Sequence, residues 1–149
     1  MSSRYIVSPP FPEVIDHVTD SIKHEMERRS YLAANELRNA SQLVLRGQRS
    51  GRRYRVPGTK RHYTASAPGE PPAVRTGAFR LSWQPTARVV FGSYISRIES
   101  DLRTDNGRYT LGEILEDGTS RMAPRPYQDA ILEKAKKPIL RIYDEPYEL

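Results

Sequence analysis

The sequence contains no cysteine. Because disulfides, thiolate nucleophiles, iron–sulfur clusters and cysteine-ligated zinc all require that residue, none of them is expected. Long apolar runs are also missing, since the longest uninterrupted runs of large aliphatic or aromatic residues have three members, such as Val89-Val90-Phe91. No bilayer-spanning helix is therefore expected. Residues 1–12 lack the apolar core of a signal peptide and are interrupted by prolines, so we expect synthesis in the cytoplasm without export by the usual route.

Apolar residues are scarce overall. Only 37% of the 149 residues are hydrophobic, and the formal net charge is +6. A chain of this length suits a single domain. With so few apolar side chains, we expect a modest core and segments that become ordered only against partners.

Acidic residues are absent from residues 38–69. Residues 47–76 are rich in glycine and proline and predict a loop, which is unusually long for a compact domain. Unneutralised cations repel one another and favour an anionic partner, a phosphate or a carboxylate-rich protein face, although a solvated surface loop is about equally compatible. The predicted contact residues are Arg46, Arg49, Arg52, Arg53, Arg55, Lys60 and Arg61.

Apolar residues at steps of three or four predict an amphipathic helix over 13–46. The stripe consists of Ile15, Val18, Ile22, Met26, Ala33, Leu37, Ala40 and Val44. Such a helix would be about 50 Å long, which is more than one small core covers. It is expected either to break near Arg28-Arg29-Ser30 or to pack along neighbouring chains.

The second half of the chain predicts an α+β fold. Alternation at Phe79, Leu81 and Trp83, followed by β-forming residues over 86–91 and 94–102, is typical of an antiparallel meander. For residues 109–115, helix and strand remain open. A shorter helix is expected over 127–137, ending before Pro138. The segments 1–12 and 138–149 are expected to be extended arms on a single domain of residues 13–137.

No pattern of residues predicts catalysis or metal binding. Nucleophile and phosphate-loop motifs are missing. His17 and His24 lie seven residues apart, too far along a helix for one metal ion. We therefore expect no enzyme activity, no catalytic residue, no metal site and no cofactor.

Two further segments combine proline and glycine in an unusual way. Residues 65–77 read ASAPGEPPAVRTG, and residues 115–127 read LEDGTSRMAPRPY. Such segments fix the direction in which the chain leaves a loop. In order and spacing they resemble the "SAPGEPP…TG.L" and "LE.GT…ARPF" motifs of the small tail-component family of long-tailed, siphovirus-type bacteriophages, known as minor tail, neck or tail-completion proteins. The resemblance extends over residues 13–132.

The resemblance implies an α+β virion protein without enzymatic activity, located at the junction of head and tail. It implies a homo-oligomeric ring, with six copies as the expected number. The neighbours would be head-connector, tail-terminator or tail-tube proteins, or the DNA in the channel, and assembly would take place in the bacterial cytoplasm without a membrane. The basic loop, residues 46–63, would contact either the DNA or an acidic face of the next ring.

Two sets of residues are expected to position these parts. The loop-placing connector comprises Ser66, Pro68, Gly69, Glu70, Pro71, Pro72, Thr76 and Gly77. The residues expected to place the C-terminal helix are Glu116, Gly118, Thr119, Arg125, Pro126 and Tyr127. Two alternatives remain open, a tail terminator that caps the tail tube and a free basic nucleic-acid-binding protein.

Overall fold

One long helix organises the fold. The computed structural model describes residues 9–148, and the predicted α+β class is confirmed. The elements are α1 Phe11–Arg46, β1 Arg53–Arg55, β2 His62–Thr64, α2 Ala78–Leu81, β3 Gln84–Val90, β4 Ser93–Glu99, α3 Leu111–Asp117 and α4 Gln128–Asp144. Strands β1 and β2 form one antiparallel hairpin, and β3 and β4 form another.

Helix α1 begins two residues earlier than predicted. Pro10 is its N-cap, and Pro12 lies in the first turn, where the fixed φ of proline is already helical and its missing N–H needs no partner. The prediction of an extended arm is therefore wrong for residues 11 and 12, while residues 1–8 lie outside the described residues.

Helix α1 continues without a break through Arg28–Ser30. Helix α4 runs antiparallel to it, since Ile131 packs in the core with Leu37 whereas Tyr143 lies beside Arg29. On another side of α1, the hydroxyl of Ser96 in β4 donates to the carbonyl oxygen of Ser30 at 2.7 Å. Partners within the chain therefore bury the middle of α1, and the expected break is not needed.

Helix α4 does not end before Pro138, so the expected extended tail over 138–149 is wrong for residues 138–144. Proline removes one backbone hydrogen bond and clashes with the preceding turn. Here Ile139 packs against the core, and Ile142 and Tyr143 are half-buried. We attribute the continued helix to this burial, which offsets the cost of the proline.

The predicted strand from Phe79 to Trp83 is instead a short helix, α2, which ends at Leu81, and Ser82 and Trp83 then lead into β3. The Phe79 and Trp83 rings lie 5.5 Å apart, whereas Leu81, which alternation grouped with them, is exposed. The alternation that placed all three side chains on one face of a strand is therefore wrong here.

The predicted meander is a single two-stranded hairpin, β3–β4, in which Pro85 pairs with Ile98. Both strands of such a hairpin are edges, where proline is tolerated. The predicted loop over 47–76 contains the second hairpin, β1–β2, whose three-residue strands are too short to produce a clear pattern. Residues 109–115, for which the sequence left helix and strand open, lead into helix α3, which begins at Leu111.

The core lies where α1, α2, α3, β4 and α4 meet. Its buried members are small or aliphatic, apart from the aromatic ring of Tyr127. Phe79 and Trp83 pack edge-on against that ring, with centroids 5.5 Å and 5.8 Å away. The buried members are Leu37, Ala40, Leu45, Tyr127, Ile131 and Ala135.

Candidate interface at the basic hairpin

The hairpin β1–β2 lies just beyond the C-terminal end of α1. Its central pair is Tyr54 opposite Tyr63, with ring centroids 6.0 Å apart. The guanidinium of Arg52 lies 5.7 Å from the centroid of the Tyr54 ring, within range of a cation–π contact. Arg53 and Arg55 flank Tyr54 along β1, so their side chains leave the opposite face of the hairpin. One face therefore carries the two tyrosine rings with Arg52 beside them, and the other, here called the cationic face, carries Arg53 and Arg55.

The predicted cations of this region are mostly exposed and form no ion pair within the described chain. Among residues 9–148, none of the ion pairs includes a cation from residues 46–61. Six of the seven predicted contact residues are exposed, namely Arg46, Arg52, Arg53, Arg55, Lys60 and Arg61. Their mutual repulsion is relieved by solvent and salt unless an anionic partner binds.

Arg49 differs from the other predicted contact residues. Its Nη2 donates to the carbonyl oxygens of Val44 at 2.7 Å and Pro72 at 3.1 Å. Its Nε also donates to Pro72, at 3.2 Å. Partial burial lowers the pKa of the guanidinium, although Glu70 opposes that shift. Arg49 therefore joins the end of α1 to the connector.

Glu70 holds the base of the hairpin. Its carboxylate accepts hydrogen bonds from the hydroxyl of Ser50, from the Ser50 N–H at 3.0 Å and from the Ala67 N–H at 2.9 Å. These hydrogen bonds, led by that of the Ser50 hydroxyl, lower the pKa of Glu70 to about 2. The Gly51 N–H donates to Ala65 O at 2.9 Å. A Cβ at Gly51 would lie 2.4 Å from that oxygen, so the close approach requires glycine.

The connector, residues 65–77, and the segment of residues 115–127 contact each other. The N–H of Gly69 donates to the carbonyl oxygen of Pro124 at 3.1 Å. Gly118 has a φ of +76°, and a Cβ there would lie 2.7 Å from the carbonyl oxygen of Met122. Glycine is therefore required at the turn that brings residues 118–127 back toward the connector.

Glu116 and Tyr127 fix the start of α4. One carboxylate oxygen of Glu116 accepts from the backbone N–H groups of Tyr127 at 2.9 Å and Gln128 at 3.2 Å, where a helix N-terminus favours negative charge. The hydroxyl of Tyr127 donates to Gly112 O at 3.1 Å. Burial raises the pKa of this hydroxyl to about 12, so it remains a donor at neutral pH.

The remaining predicted positioning residues lie along the same two segments. Ser66 and Pro72 are buried, while Pro68 is exposed and Pro71 is half-buried. Their contacts are local or to the adjoining segment. In the connector, the Thr76 hydroxyl accepts from the Ala78 N–H at 3.3 Å, and Gly77 has a φ of +87°. In residues 115–127, the Thr119 N–H donates to the carbonyl oxygen of Met122 at 2.8 Å, and the Arg125 N–H donates to that of Leu115 at 2.7 Å. Pro126 directly precedes Tyr127.

The opposite end of α1 carries features that the sequence analysis did not single out. Residues 11–24, here called the rod, extend beyond the end of α4. Their apolar side chains Phe11, Ile15 and Ile22 are exposed, Phe11 by 76%. The rod continues the predicted stripe, but the stripe did not indicate which part lacked a cover.

A buried arginine in α1, five residues after the rod ends, binds the backbone of residues 143–146 to the helix. Arg29 is completely buried, and its Nε donates to Glu25 at 2.8 Å. Its other nitrogens donate to the carbonyl oxygens of Tyr143 at 3.2 Å and Pro146 at 2.9 Å, and the ring of Tyr147 lies 4.1 Å away. No sequence signal distinguished this arginine from the exposed Arg28.

Within residues 9–148, no cluster of three or more histidine or acidic side chains is arranged to hold a metal ion. No helix in the same range has the length and apolarity that crossing a membrane requires. Comparison with protein-family models, with curated proteins and with solved structures finds no match to this chain.

Proposed function

We propose that this chain is a structural subunit of the junction between head and tail of a long-tailed bacteriophage, a neck or tail-completion protein that forms a ring. The observation that carries the proposal is the exposure of both ends of α1. The rod has an apolar stripe without a cover among the described residues, and the hairpin has cations that form no ion pair among those residues. Both surfaces suit a subunit that neighbours complete.

The rod adds an energetic argument for neighbours. Five of its fourteen residues are β-branched, namely Val14, Ile15, Val18, Thr19 and Ile22. β-Branched residues lower helix propensity, and isolated helices of this length are marginal in water. Packing against another chain would stabilise the rod and bury its stripe.

The hairpin supports an anionic neighbour. Its cationic face would contact DNA phosphates in the channel or the carboxylates of an adjacent head-connector, tail-terminator or tail-tube protein. Arginine predominates over lysine there, and its planar fork suits either phosphate or carboxylate. The resemblance of residues 65–77 and 115–127 to the phage motifs supports this location.

The proposal is tested by stopping translation of the gene in the phage that encodes it. We expect DNA-filled heads and separate tails that fail to join, seen by electron microscopy. Complementation with the wild-type gene should restore infectious particles. Overlong tail tubes would assign the terminator role instead, and normal infectious particles without the protein would contradict both roles.

A free nucleic-acid-binding protein is the second candidate, favoured by one observation. The hairpin is a basic two-stranded ribbon, a shape that fits the major groove of DNA. Titration of duplex DNA with the isolated chain at several salt concentrations separates the candidates. Tight binding with a steep salt dependence would favour this role. Each phosphate that the protein neutralises contributes about −0.9 to the slope of the logarithm of the binding constant against the logarithm of the salt concentration. Weak binding favours a subunit that meets DNA only after assembly.

A further inference from the structure

The turn of the β3–β4 hairpin carries an unexpected residue. Val90 pairs with Ser93, so the loop consists of Phe91 and Gly92. Their φ angles are +49° and +77°, the pattern of a type I′ turn, whose first position favours asparagine, aspartate or glycine. Phe91 is the only non-glycine residue with positive φ among residues 9–148, and a bulky side chain in that region is strained.

The side chain of Phe91 contributes no burial that offsets this strain. It is fully exposed, at 104% of its reference surface. The adjoining Val89 and Val90 are exposed as well. The hairpin therefore presents an apolar tip, and neither turn geometry nor packing within the described chain accounts for phenylalanine there.

An apolar cleft lies between β4 and α4. Its volume is about 300 Å³, and its apolar lining includes Leu37, Trp83, Ile98, Ile131 and Leu132. This apolar lining suits an inserted apolar side chain, and Phe91 is the most exposed large apolar side chain among the described residues.

The tip cannot reach the cleft of its own chain. Ile98, in the lining, lies seven residues beyond Phe91, and β4 is paired with β3 along that length. At about 3.3 Å per residue the two are separated by roughly 20 Å. A single paired hairpin cannot fold back over this distance without losing its ladder.

We infer that Phe91 of one copy inserts into the cleft between β4 and α4 of the next copy. The inference rests on the proposed function, because it names the contact that joins neighbouring subunits. Phe91 and the cleft lie on different surfaces of one chain, so the contact is heterologous. Repeating such a contact gives a ring when the rotation between neighbours closes, as the proposed function requires, and a filament when it does not.

Replacing Phe91 separates its effect on self-association from its effect on the strain of the turn. Phe91→Asn should abolish self-association of the full chain, measured by analytical ultracentrifugation. The same change should raise the Tm of the monomer by about 2–4 °C, because asparagine suits the turn. Tyr109→Asn removes another exposed aromatic side chain and should change neither property.

Disulfide trapping locates the contact, and the absence of native cysteine makes it specific. Chains with Val90→Cys, which keep Phe91, are mixed with chains carrying Leu132→Cys at the cleft and are oxidised. We expect a mixed cross-linked dimer, and we expect adding Phe91→Asn to the Val90→Cys chain to abolish it.

The outcomes distinguish this inference from the proposed function. A wild-type chain that remains monomeric at every concentration contradicts the ring and, with it, the contact. A ring that forms unchanged with Phe91→Asn, or that gives no mixed product, contradicts the contact alone. Cross-linking of Val90→Cys chains to one another without the cleft partner indicates tip-to-tip packing and also overturns the inference.

Discussion

The two ends of α1, about 50 Å apart, differ in how the chain supports them. At the C-terminal end, polar contacts of Arg49 and Glu70 hold the basic hairpin against the connector. At the N-terminal end, the rod extends past α4 with its apolar side chains exposed. Among residues 9–148, one end thus has a fixed shape and cations without ion pairs, whereas the other has apolar side chains without a cover. The comparison indicates that the small core in the middle of the molecule holds the basic hairpin and the rod in place without burying either of them.

The largest expected effect comes from removing the core that both ends share. Tyr127→Ala deletes the ring against which Phe79 and Trp83 pack and the hydroxyl that donates to Gly112. We expect a loss of about 3–5 kcal/mol in the free energy of unfolding, measured by urea denaturation. Tyr109→Ala, at an exposed tyrosine, should change it by less than about 0.5 kcal/mol. Similar losses in the two variants would contradict the assigned core.

The second effect tests the base of the rod. Arg29→Ala removes the buried guanidinium that binds the carbonyl oxygens of Tyr143 and Pro146. We expect a loss of about 2–3 kcal/mol and faster hydrogen exchange in residues 143–148. Arg28→Ala is the matched control, since Arg28 binds the same Glu25 from an exposed position and should cost less than about 1 kcal/mol. Equal costs would mean that the buried contacts contribute little.

The third effect divides the predicted cations of the hairpin end. Arg49→Ser leaves the carbonyl oxygens of Val44 and Pro72 without this donor, so we expect a loss of about 1–2 kcal/mol. Arg53→Ser, on the exposed cationic face, should leave unfolding nearly unchanged but weaken binding to an anionic partner. Urea denaturation measures the stability of the two variants, and titration with duplex DNA measures their binding. If Arg53→Ser unfolds more easily than Arg49→Ser, the structural role given to Arg49 is wrong.

The smallest effect is a pH dependence at the base of the hairpin. The pKa of Glu70 is lowered from 4.5 to about 2 in the folded chain. Its carboxylate therefore stabilises the fold fully above pH 4.5, and the contribution is lost as the pH falls toward 2. Glu70→Gln lacks this titration. The difference in urea midpoint between wild type and variant should be constant above pH 5 and shrink on acidification; a difference that grows would reverse the sign.

Local patterns predicted some elements well and others poorly. The long apolar stripe and Gly47 located α1 to within two residues at its start and located its end at Arg46. The alternation around Phe79 predicted a strand, whereas Phe79 lies in the short helix α2 and Trp83 just beyond it, both packed against Tyr127. Pro138 predicted a helix end because proline is a local signal, whereas the burial of Ile139 against the core is not. The functional role drawn from the phage motifs stays a prediction.

The sequence by itself determined the α+β class, the long helix and the acid-free cluster of arginines, because composition and periodicity are properties of neighbouring residues. The tertiary structure alone decided that Arg49 anchors the connector while Arg53 faces outward, that Arg29 is buried beside an exposed Arg28, and that Phe91 stands exposed at a strained turn. The contacts of Arg49 and Arg29 join residues far apart in the chain, and a pattern of neighbours carries no record of them. The positive φ of Phe91 is set locally by the pairing of Val90 with Ser93, but its exposure depends on which other parts of the chain pack near the turn.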